Sequence, residues 1–427
     1  MSNTKTDKRY SILLAGFIGN VVEWYDFALY GYMASIISGL FFPSKDHLAS
    51  LLATYGVFAA GFIMRPLGSA LFGWLGDTIG RSSTMLISVV LMSLPTLLLG
   101  ILPTYATVGL LAPVLLVLVR LVQGLSVGGE FSSSVTYLVE TADPDRRGFS
   151  GSWANMGSIT GMLLGSGIAA LLTTFVDDKL ITDWAWRLPF LFGGVIGIIS
   201  IILRRQLPKS EHFQQHAGSR GRSSPLLEAF TDNLTQTLKA TLFASAYGVV
   251  FYFSLVYLPN WASDQAGYDL DFAMQVNAVA TAMLLVLIPL SGWLSDRFVR
   301  RTHLIMNATG LMFLAAYPLF LWMYESGSIP ALVCTQIILA VLLAAPLGSA
   351  PAVFVEMFPA RDRLSGYSVS YNIGLGIVGG ATPMIATALI KMTGKGIMPS
   401  LFLVLMALAG VIGISLIRDR SREPLQS

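Results

Sequence analysis

Charged residues are scarce in this chain. Only 12% of its 427 residues are Asp, Glu, Lys or Arg, while 54% are hydrophobic, and an ordinary soluble protein carries roughly 25% charged residues. A soluble chain of this length would divide into about two or three domains, each with its own polar surface. The composition therefore excludes a soluble enzyme and a disordered chain, and it indicates a polytopic membrane protein.

Cysteine is nearly absent as well, and no metal or nucleotide motif is complete. Cys334 is the one cysteine, so no internal disulfide can form. His212 and His216 have the i, i+4 spacing of some metal ligands, but the sequence offers no third ligand beside them. No Walker A pattern occurs, and a net charge of +3 predicts no broad basic face for nucleic acid. We therefore expect no metal, no cofactor, no nucleic-acid partner and no ATP-driven step.

What the sequence does contain is a series of long apolar runs. A membrane-spanning helix needs about 20 mostly apolar residues to cross roughly 30 Å. Lys and Arg concentrate in the segments that share one side with the N-terminus, so the positive-inside rule predicts that both termini are cytoplasmic. The twelve predicted spans are 11–40, 49–75, 82–103, 108–139, 149–175, 187–204, 240–262, 271–294, 303–324, 329–355, 364–392 and 397–417.

Short motifs recur in the two halves of the chain. GWLGDTIGR, residues 73–81, follows the second span, and GWLSDRFVR, residues 292–300, follows the eighth. Glu140 follows the fourth span and Glu356 follows the tenth, at nearly the same spacing. Two motifs that recur in order at one spacing indicate a duplicated six-helix unit.

The longest polar stretch divides the spans six and six. The sequence therefore predicts an all-α membrane protein with twelve transmembrane helices in two six-helix bundles related by pseudo-two-fold symmetry. The predicted N-terminal bundle is 1–204, the cytoplasmic linker is 205–239 and the C-terminal bundle is 240–427.

These signatures resemble the major facilitator superfamily over nearly the whole chain, and a further set of motifs resembles its metabolite:proton symporter branch. Residues 151–167 and 211–216 look most like the proline/betaine carriers of that branch. The resemblance implies a proton symporter in a bacterial inner membrane, with protons, lipid and a small solute as its partners, and we expect it to act as a monomer. The motifs are GNVVEWYDF (19–27), RPLG (65–68), RLVQGLSVGGE (120–130), WAWRLPF (184–190) and VEMFPARDRLSGYSVSYNIG (355–374).

Five charges lie well inside the predicted spans, where charged residues are rare and are functional candidates. At 1.5 Å per residue, three of them fall near the membrane midplane. We predict that Asp26, helped by Glu23, carries the proton and that Arg120 or Arg65 pairs with a substrate carboxylate. Glu130 has two interpretations, proton coupling and helix packing, and a fixed ion-pair lock is the structural alternative for the whole set.

Aromatic residues crowd several spans, and aromatic faces attract quaternary ammonium groups. Packing and lipid contact are the simpler interpretation of any single one. The predicted cavity residues besides the two arginines are Tyr30, Gln123, Trp153, Asn155, Tyr252, Tyr371 and Asn372.

Charges at the inner ends of the spans follow the repeat. We predict that they form ion pairs and helix caps that favour the outward-facing state, and the family resemblance implies that they act as conformational latches. Plain topogenic charge is the alternative. The predicted gating residues are Asp77, Arg81, Glu140, Arg147, Asp296, Arg300, Glu356 and Arg363.

These observations predict a secondary transporter that imports a small polar organic solute together with a proton by alternating access. A zwitterion such as proline or glycine betaine is the preferred substrate. A carrier of organic acids such as 2-oxoglutarate or citrate is the alternative, because two midplane arginines suit carboxylates. A channel or a membrane enzyme fits less well, since the chain has an internal two-fold repeat and its four histidines lie in loops or at span ends.

Overall fold

The computed structural model describes residues 2–44, 47–205, 233–360 and 362–426, and no β-strand occurs in these ranges. Long helices joined by short turns dominate them. The long helices are α1 Ser2–Tyr32, α2 His47–Ile79, α3 Arg81–Ile101, α4 Leu111–Glu140, α5 Arg147–Phe175, α6 Arg187–Arg205, α7 Leu234–Ala266, α8 Leu270–Arg297, α9 Arg301–Ser326, α10 Ile329–Glu356, α11 Arg363–Thr393 and α12 Met398–Ser415.

The predicted fold class is confirmed. Eleven of these helices are long and apolar enough to cross a membrane by length and composition, and α2 is 33 residues long. Each predicted span coincides with one of the helices, and the differences are at the ends. Within the first predicted span, α1 ends at Tyr32, and a short helix, Ala34–Phe41, follows it. The seventh begins at Leu234, so the last residues of the predicted linker are helical.

The described helices belong to two compact units. The first unit comprises Met1–Leu138 and Gly157–Gly218, and the second comprises Val139–Met156 and Ser219–Ser427. The end of α4 and the start of α5 thus belong with the C-terminal helices. The predicted boundaries at 204 and 239 flank residues 206–232, which lie outside the described residues, so these boundaries stay predictions.

Glycines bring α5 against α1 in the first unit. A Cβ atom on Gly161 would lie 2.4 Å from the carbonyl oxygen of Val21, and one on Gly157 would lie 2.4 Å from that of Phe17. Both neighbours are backbone atoms, which cannot move aside as a side chain can. Small residues let membrane helices approach in this way, and the close contact fixes the face of α1 that carries Glu23 and Asp26.

Two helices of the second unit contain π-helical segments. In α7 the segment is Phe253–Tyr257 and in α11 it is Asn372–Gly379. A π-helical segment shifts the register of the side chains around the helix axis, and such segments are common at functional sites. Tyr252 and Tyr371, two of the predicted cavity residues, directly precede these segments.

The glycine contact yields a test on a single helix. Gly161→Ala places a methyl group against the backbone of α1, and overpacking of this kind costs about 1–3 kcal/mol. We expect a lower unfolding temperature in detergent for this variant. Gly167→Ala is the matched control, because a Cβ atom there meets nothing within 4 Å. Equal unfolding temperatures for the two variants would contradict the close approach of α1 and α5.

Candidate functional site

Asp26 and Arg120 form a buried ion pair in the first unit. Arg120 Nη1 lies 2.6 Å from Asp26 Oδ2, and both side chains are almost fully shielded from solvent. Thr96 Oγ1 of α3 lies 3.1 Å from the other carboxylate oxygen, and Gln123 Nε2 donates to Thr96 at 3.0 Å. The pair thus joins α1, α3 and α4, as the depths of these residues along the predicted spans require.

The guanidinium of Arg120 is only partly satisfied. It lies 3.7 Å from the centroid of the Tyr30 ring, and the Tyr30 hydroxyl donates to the carbonyl oxygen of Thr54. Arg120 Nε and Nη2 are buried without a hydrogen-bond partner among the described residues. Buried donors without partners are costly, so this guanidinium can bind an anionic group at little further desolvation cost.

Glu23 faces the same cavity from one helical turn before Asp26. Its Oε2 atom is buried and has no hydrogen-bond partner in the described part of the chain. Arg65 of α2 lies 5.7 Å from the centroid of the Phe27 ring and also lines the cavity. The structure therefore brings together four of the five charges that the sequence places inside the spans. The cavity is lined by Glu23, Asp26, Phe27, Gly61, Arg65, Met92, Arg120, Gln123, Gly124 and Val127.

Glu130 has a different environment. Both of its carboxylate oxygens accept hydrogen bonds from the buried guanidinium of Arg204, and Ser88 donates to one of them. Arg204 also donates to the carbonyl oxygens of Ala15 at 3.2 Å and Met85 at 2.7 Å. This saturated pair joins four helices, which favours the packing interpretation of Glu130 over proton coupling.

Arg204 was missed as a site residue. The sequence places it at the inner end of the sixth span, where Lys and Arg commonly serve as topogenic charges. The signal that could have found it is the unpaired acidic charge of Glu130, since a buried carboxylate needs a partner. The partner is distant in sequence, and nothing in the spacing identifies it.

The predicted cavity residues Trp153, Asn155, Tyr252, Tyr371 and Asn372 lie in the second unit. Asn155 Nδ2 donates to the carbonyl oxygen of Leu347 at 2.7 Å and to the hydroxyl of Tyr247 at 3.4 Å. The ring of Tyr247 lies 6.4 Å from that of Tyr371. Asn372 is tied to its own helix, because its Nδ2 donates to the carbonyl oxygen of Ser368. Asn155 and Tyr371 therefore both lie beside Tyr247.

Trp153 and Tyr252 each contact an aromatic neighbour on their own helix. The ring of Trp153 contacts Phe149 with centroids 6.2 Å apart, and the ring of Tyr252 contacts Phe251 at 5.3 Å. Both aromatic residues have neighbours of their own. Their assignment to a substrate cavity stays a prediction.

Most of the predicted gating residues form what we call the ion-pair cluster of the second unit. Arg301 lies 2.5 Å from Asp296 and 2.7 Å from Glu356, and Arg147 lies 3.7 Å from Glu356. Asp296 also accepts hydrogen bonds from the backbone N–H groups of residues 148 and 149. A carboxylate at a helix N-terminus is favoured by the helix dipole, so Asp296 caps α5.

The other members of the cluster are Glu140 and Arg363, whose side chains lie 2.8 Å apart. One prediction is corrected here, since Arg301 makes the ion pairs that were assigned to Arg300. Arg300 is exposed and precedes the first residue of α9. The side chains of Asp77 and Arg81 lie outside the described residues, so their predicted role is left as it stands.

The segment after α12 contacts this cluster through its backbone. Arg147 donates to the carbonyl oxygen of Glu423 at 2.8 Å, and Arg363 donates to that of Gln426 at 2.7 Å. The Gln426 side chain donates in turn to the carbonyl oxygen of Glu356. Sequence reasoning missed these contacts because a backbone acceptor carries no residue signature.

Metal ligation has no support among the residues that the structure describes. They contain no group of three or more His, Cys, Asp or Glu side chains placed to hold an ion. His212 and His216 lie outside the described residues. The predicted absence of a cofactor stays a prediction.

A bundle of membrane-length helices with paired charges inside its spans defines a polytopic membrane transporter. The chain belongs to the Major Facilitator Superfamily, whose family model matches residues 16–312 and 271–427. The chain is therefore an integral membrane transporter and not an enzyme, and the resemblance predicted from its motifs is confirmed.

Two relatives of this family and one solved structure are similar to the chain. It is 34% identical to a proline/betaine transporter of Salmonella typhimurium over 97% of this chain and 84% of the relative. It is 31% identical to a citrate-proton symporter of Klebsiella pneumoniae over 100% of this chain and 96% of that protein. The fold matches the proton:xylose symporter XylE bound to 6-bromo-6-deoxy-D-glucose, with a TM-score of 0.81, 17% identity and 98% coverage of both chains.

The saturated pair of Glu130 and Arg204 can be tested by charge removal. Arg204→Met leaves a buried carboxylate without its partner, which costs about 3–5 kcal/mol, and we expect poor recovery of folded protein. The double variant Glu130→Leu, Arg204→Met removes both charges and should recover most of the stability. Size-exclusion profiles and unfolding temperatures in detergent measure both effects. A double variant no more stable than Arg204→Met would contradict the packing role.

Asp419, just beyond α12, caps α9. It accepts hydrogen bonds from the backbone N–H and the hydroxyl of Thr302. Burial raises the pKa of Asp419, but hydrogen bonds from Ser421 and Thr302 outweigh burial and bring the pKa below its usual value of 3.8. Because the folded-state pKa is the lower one, the ionised cap stabilises the fold at neutral pH, and this contribution is lost as the pH falls through the folded pKa.

We therefore expect Asp419→Ala to lower the unfolding temperature at neutral pH by about 2 °C, the effect of a lost cap of about 1 kcal/mol. The difference from the parent should shrink as the pH is lowered into the carboxylate range. Asp419→Asn, which keeps one acceptor oxygen, is the matched control and should lose less. A deficit in Asp419→Ala that grows toward acid pH would refute the assignment.

Proposed function

We propose that this chain is a proton-coupled symporter that imports a small zwitterionic solute of the proline or glycine betaine type by alternating access. The observation that carries the proposal is the cavity of the first unit. Two carboxylates, those of Glu23 and Asp26, line it together with the guanidinium groups of Arg65 and Arg120. Such a cavity can bind a solute that carries both signs of charge, and it holds an acidic group beside a basic one for proton exchange.

Asp26 is the proton carrier in this proposal, and Arg120 is the group that its protonation releases. A proton on Asp26 removes the charge that holds Arg120 Nη1 at 2.6 Å. Arg120 can then turn its guanidinium to a carboxylate, including the Nε and Nη2 atoms that have no hydrogen-bond partner among the described residues. Charge-assisted bonds to a carboxylate are among the stronger polar contacts in proteins, so proton entry and anion binding favour each other.

Glu23 supplies the site for the cationic end of the solute. Glu23 lines the same cavity, and its Oε2 atom has no hydrogen-bond partner in the ranges that the structure describes. A zwitterion bound between Arg120 and Glu23 leaves the net charge of the cavity unchanged. A di- or tricarboxylate would leave excess negative charge in a low-dielectric site, which is costly. The name of the proline/betaine relative supports the same choice.

An organic acid is the second candidate substrate. Arg65 gives the cavity a second guanidinium, and two arginines can hold two carboxylates. The citrate-proton symporter of Klebsiella pneumoniae is a relative at 31% identity. This candidate requires Glu23 to be protonated when the anion binds, because its charge would otherwise repel the second carboxylate.

The ion-pair cluster of the second unit supplies the conformational part of the proposal. It joins the end of α4 and the start of α5 to α8, α10 and α11. We infer that these pairs break and re-form in each transport cycle, as two-state contacts in switching proteins do. The distribution of Lys and Arg supports cytoplasmic termini, and the bacterial sources of the two relatives support an inner-membrane location.

Uptake into proteoliposomes tests the substrate. Purified protein is reconstituted with an inwardly directed proton gradient, and labelled glycine betaine, proline, citrate and 2-oxoglutarate are supplied in parallel. We expect the two zwitterions to accumulate and the two acids to remain at the level of empty liposomes. Accumulation of citrate or 2-oxoglutarate alone would make the second candidate correct.

Asp26→Asn tests the coupling in the same vesicles. The asparagine keeps the shape of the side chain but carries no exchangeable acidic proton, so gradient-driven uptake should fall by about a hundredfold or more. Asp145→Asn is the control, because Asp145 is an exposed acid that pairs with Arg297, and it should transport as the parent does. Proton-driven uptake that survives in Asp26→Asn removes Asp26 from the mechanism.

A further inference from the structure

Thr96 lies between Asp26 of the buried ion pair and the side chain of Gln123. Its hydroxyl oxygen is 3.1 Å from Asp26 Oδ1 and 3.0 Å from Gln123 Nε2. It is also 2.9 Å from the carbonyl oxygen of Met92, one turn earlier in α3. Thr96 is fully buried, so no bulk water competes for these positions.

Thr96 cannot donate a hydrogen bond to Asp26 and to Met92 at the same time. A hydroxyl has one hydrogen to donate and two lone pairs with which to accept. Gln123 Nε2 is a donor, so it occupies one lone pair in any arrangement. The Asp26 carboxylate and the Met92 carbonyl therefore compete for the single hydroxyl hydrogen.

The protonation state of Asp26 decides this competition. When Asp26 is ionised, the hydroxyl hydrogen points to Oδ1, because hydrogen bonds to a charged acceptor are roughly twice as strong as neutral ones. When Oδ1 carries a proton, the carboxylic acid donates to the second lone pair of Thr96. The Thr96 hydrogen then turns to the Met92 carbonyl, which lies within hydrogen-bond distance.

We propose that Thr96 is a positioning residue that keeps Asp26 hydrogen-bonded in both of its protonation states. The proton that enters comes from the cavity and binds Asp26 Oδ1, and it leaves by the same atom. Thr96 keeps its own hydrogen throughout and only changes the direction in which it donates. The inference rests on the proposed function in one respect, namely that Asp26 takes up and releases a proton.

The position of Thr96 also explains how a neutral Asp26 lets go of Arg120. The bond to Thr96 lies at Oδ1, and the bond to Arg120 lies at Oδ2. A carboxylic acid that donates from Oδ1 stays anchored to α3 while its bond to Arg120 weakens. The methyl group of Thr96 packs beside Gly193 of α6, which holds the hydroxyl on the side of Asp26.

Other ionisable groups surround this arrangement and must be kept constant in any test. Arg120 donates a hydrogen bond to Asp26 Oδ2, and the other groups act on Asp26 through space. The ionisable groups that face Asp26 are Arg120 of α4, Arg65 of α2, and Glu23, Tyr25 and Tyr30 of α1. None of the substitutions proposed below changes them.

Infrared difference spectroscopy of the reconstituted full chain measures Asp26 directly and needs no substrate. The carboxylic acid C=O stretch is followed as the pH is varied, and its absence in Asp26→Asn assigns the band. In Thr96→Val the ionised form of Asp26 loses a charge-assisted hydrogen bond, and the neutral form of Asp26 loses a weaker hydrogen bond. We expect the titration midpoint to rise by about one pH unit and the C=O band to move to higher wavenumber.

Two further variants make the result specific to the hydroxyl. Thr96→Ser keeps it and should restore the parent midpoint, and Thr96→Ala removes it without placing a second methyl group beside Asp26, so it should shift as Thr96→Val does. Thr84→Val is the matched control, since Thr84 is a buried threonine of α3 whose hydroxyl donates to the carbonyl oxygen of Gly80. It should leave the band unchanged.

The proposal is overturned if Thr96→Val and Thr96→Ala titrate with the parent, or if Thr96→Ser shifts as far as they do. A band that never changes with pH in the parent overturns it too. Uptake is measured in a separate experiment, so the proposed function and the role of Thr96 can each fail without the other. Parent vesicles that take up no solute while the band titrates as expected contradict the proposed function and leave the role of Thr96 standing.

Discussion

The ion pair of Asp26 and Arg120 is the constraint on which the first unit depends. A single charge inside a membrane span is costly, and two opposite charges become tolerable only when their helices hold them at bonding distance. The glycine contact that fixes α1 against α5 and the threonine of α3 that supports Asp26 both serve this placement. The cavity is the space that remains around the pair once the helices have met these conditions.

Two buried ion pairs of the same chemical type have opposite properties here. Both carboxylate oxygens of Glu130 bind the guanidinium of Arg204, and two backbone carbonyls also accept from it, so each of its three nitrogen atoms has a partner. Arg120 keeps two nitrogen atoms without a hydrogen-bond partner in the described part of the chain. A saturated pair gains nothing by opening, so it holds helices together. An unsaturated pair can exchange its partner for a ligand or a proton, which is what a coupling site needs.

The sequence was sufficient for the spans, the repeat and four of the cavity charges, because hydropathy and rare intramembrane charges are strong signals. It was insufficient where the rotation of a helix about its axis decides which side chains meet. Arg301 rather than Arg300 enters the ion-pair cluster, and a helix turns by about 100° per residue, which no motif spacing resolves at a helix start. Thr96 was overlooked because a threonine in a span commonly bonds its own backbone, and only tertiary contact reveals its second acceptor.

Two arginines of the ion-pair cluster bind the segment beyond α12 through its main chain. Arg147 and Arg363 bind the carbonyl oxygens of Glu423 and Gln426, and every amino acid supplies such an oxygen. Substitutions along this segment therefore leave these two contacts available, whereas an inserted or deleted residue would carry the carbonyls out of reach. Natural selection on these contacts would act on the length of the segment and not on the identity of its residues. Related chains can thus retain the same contact after their sequences in this segment have diverged beyond recognition.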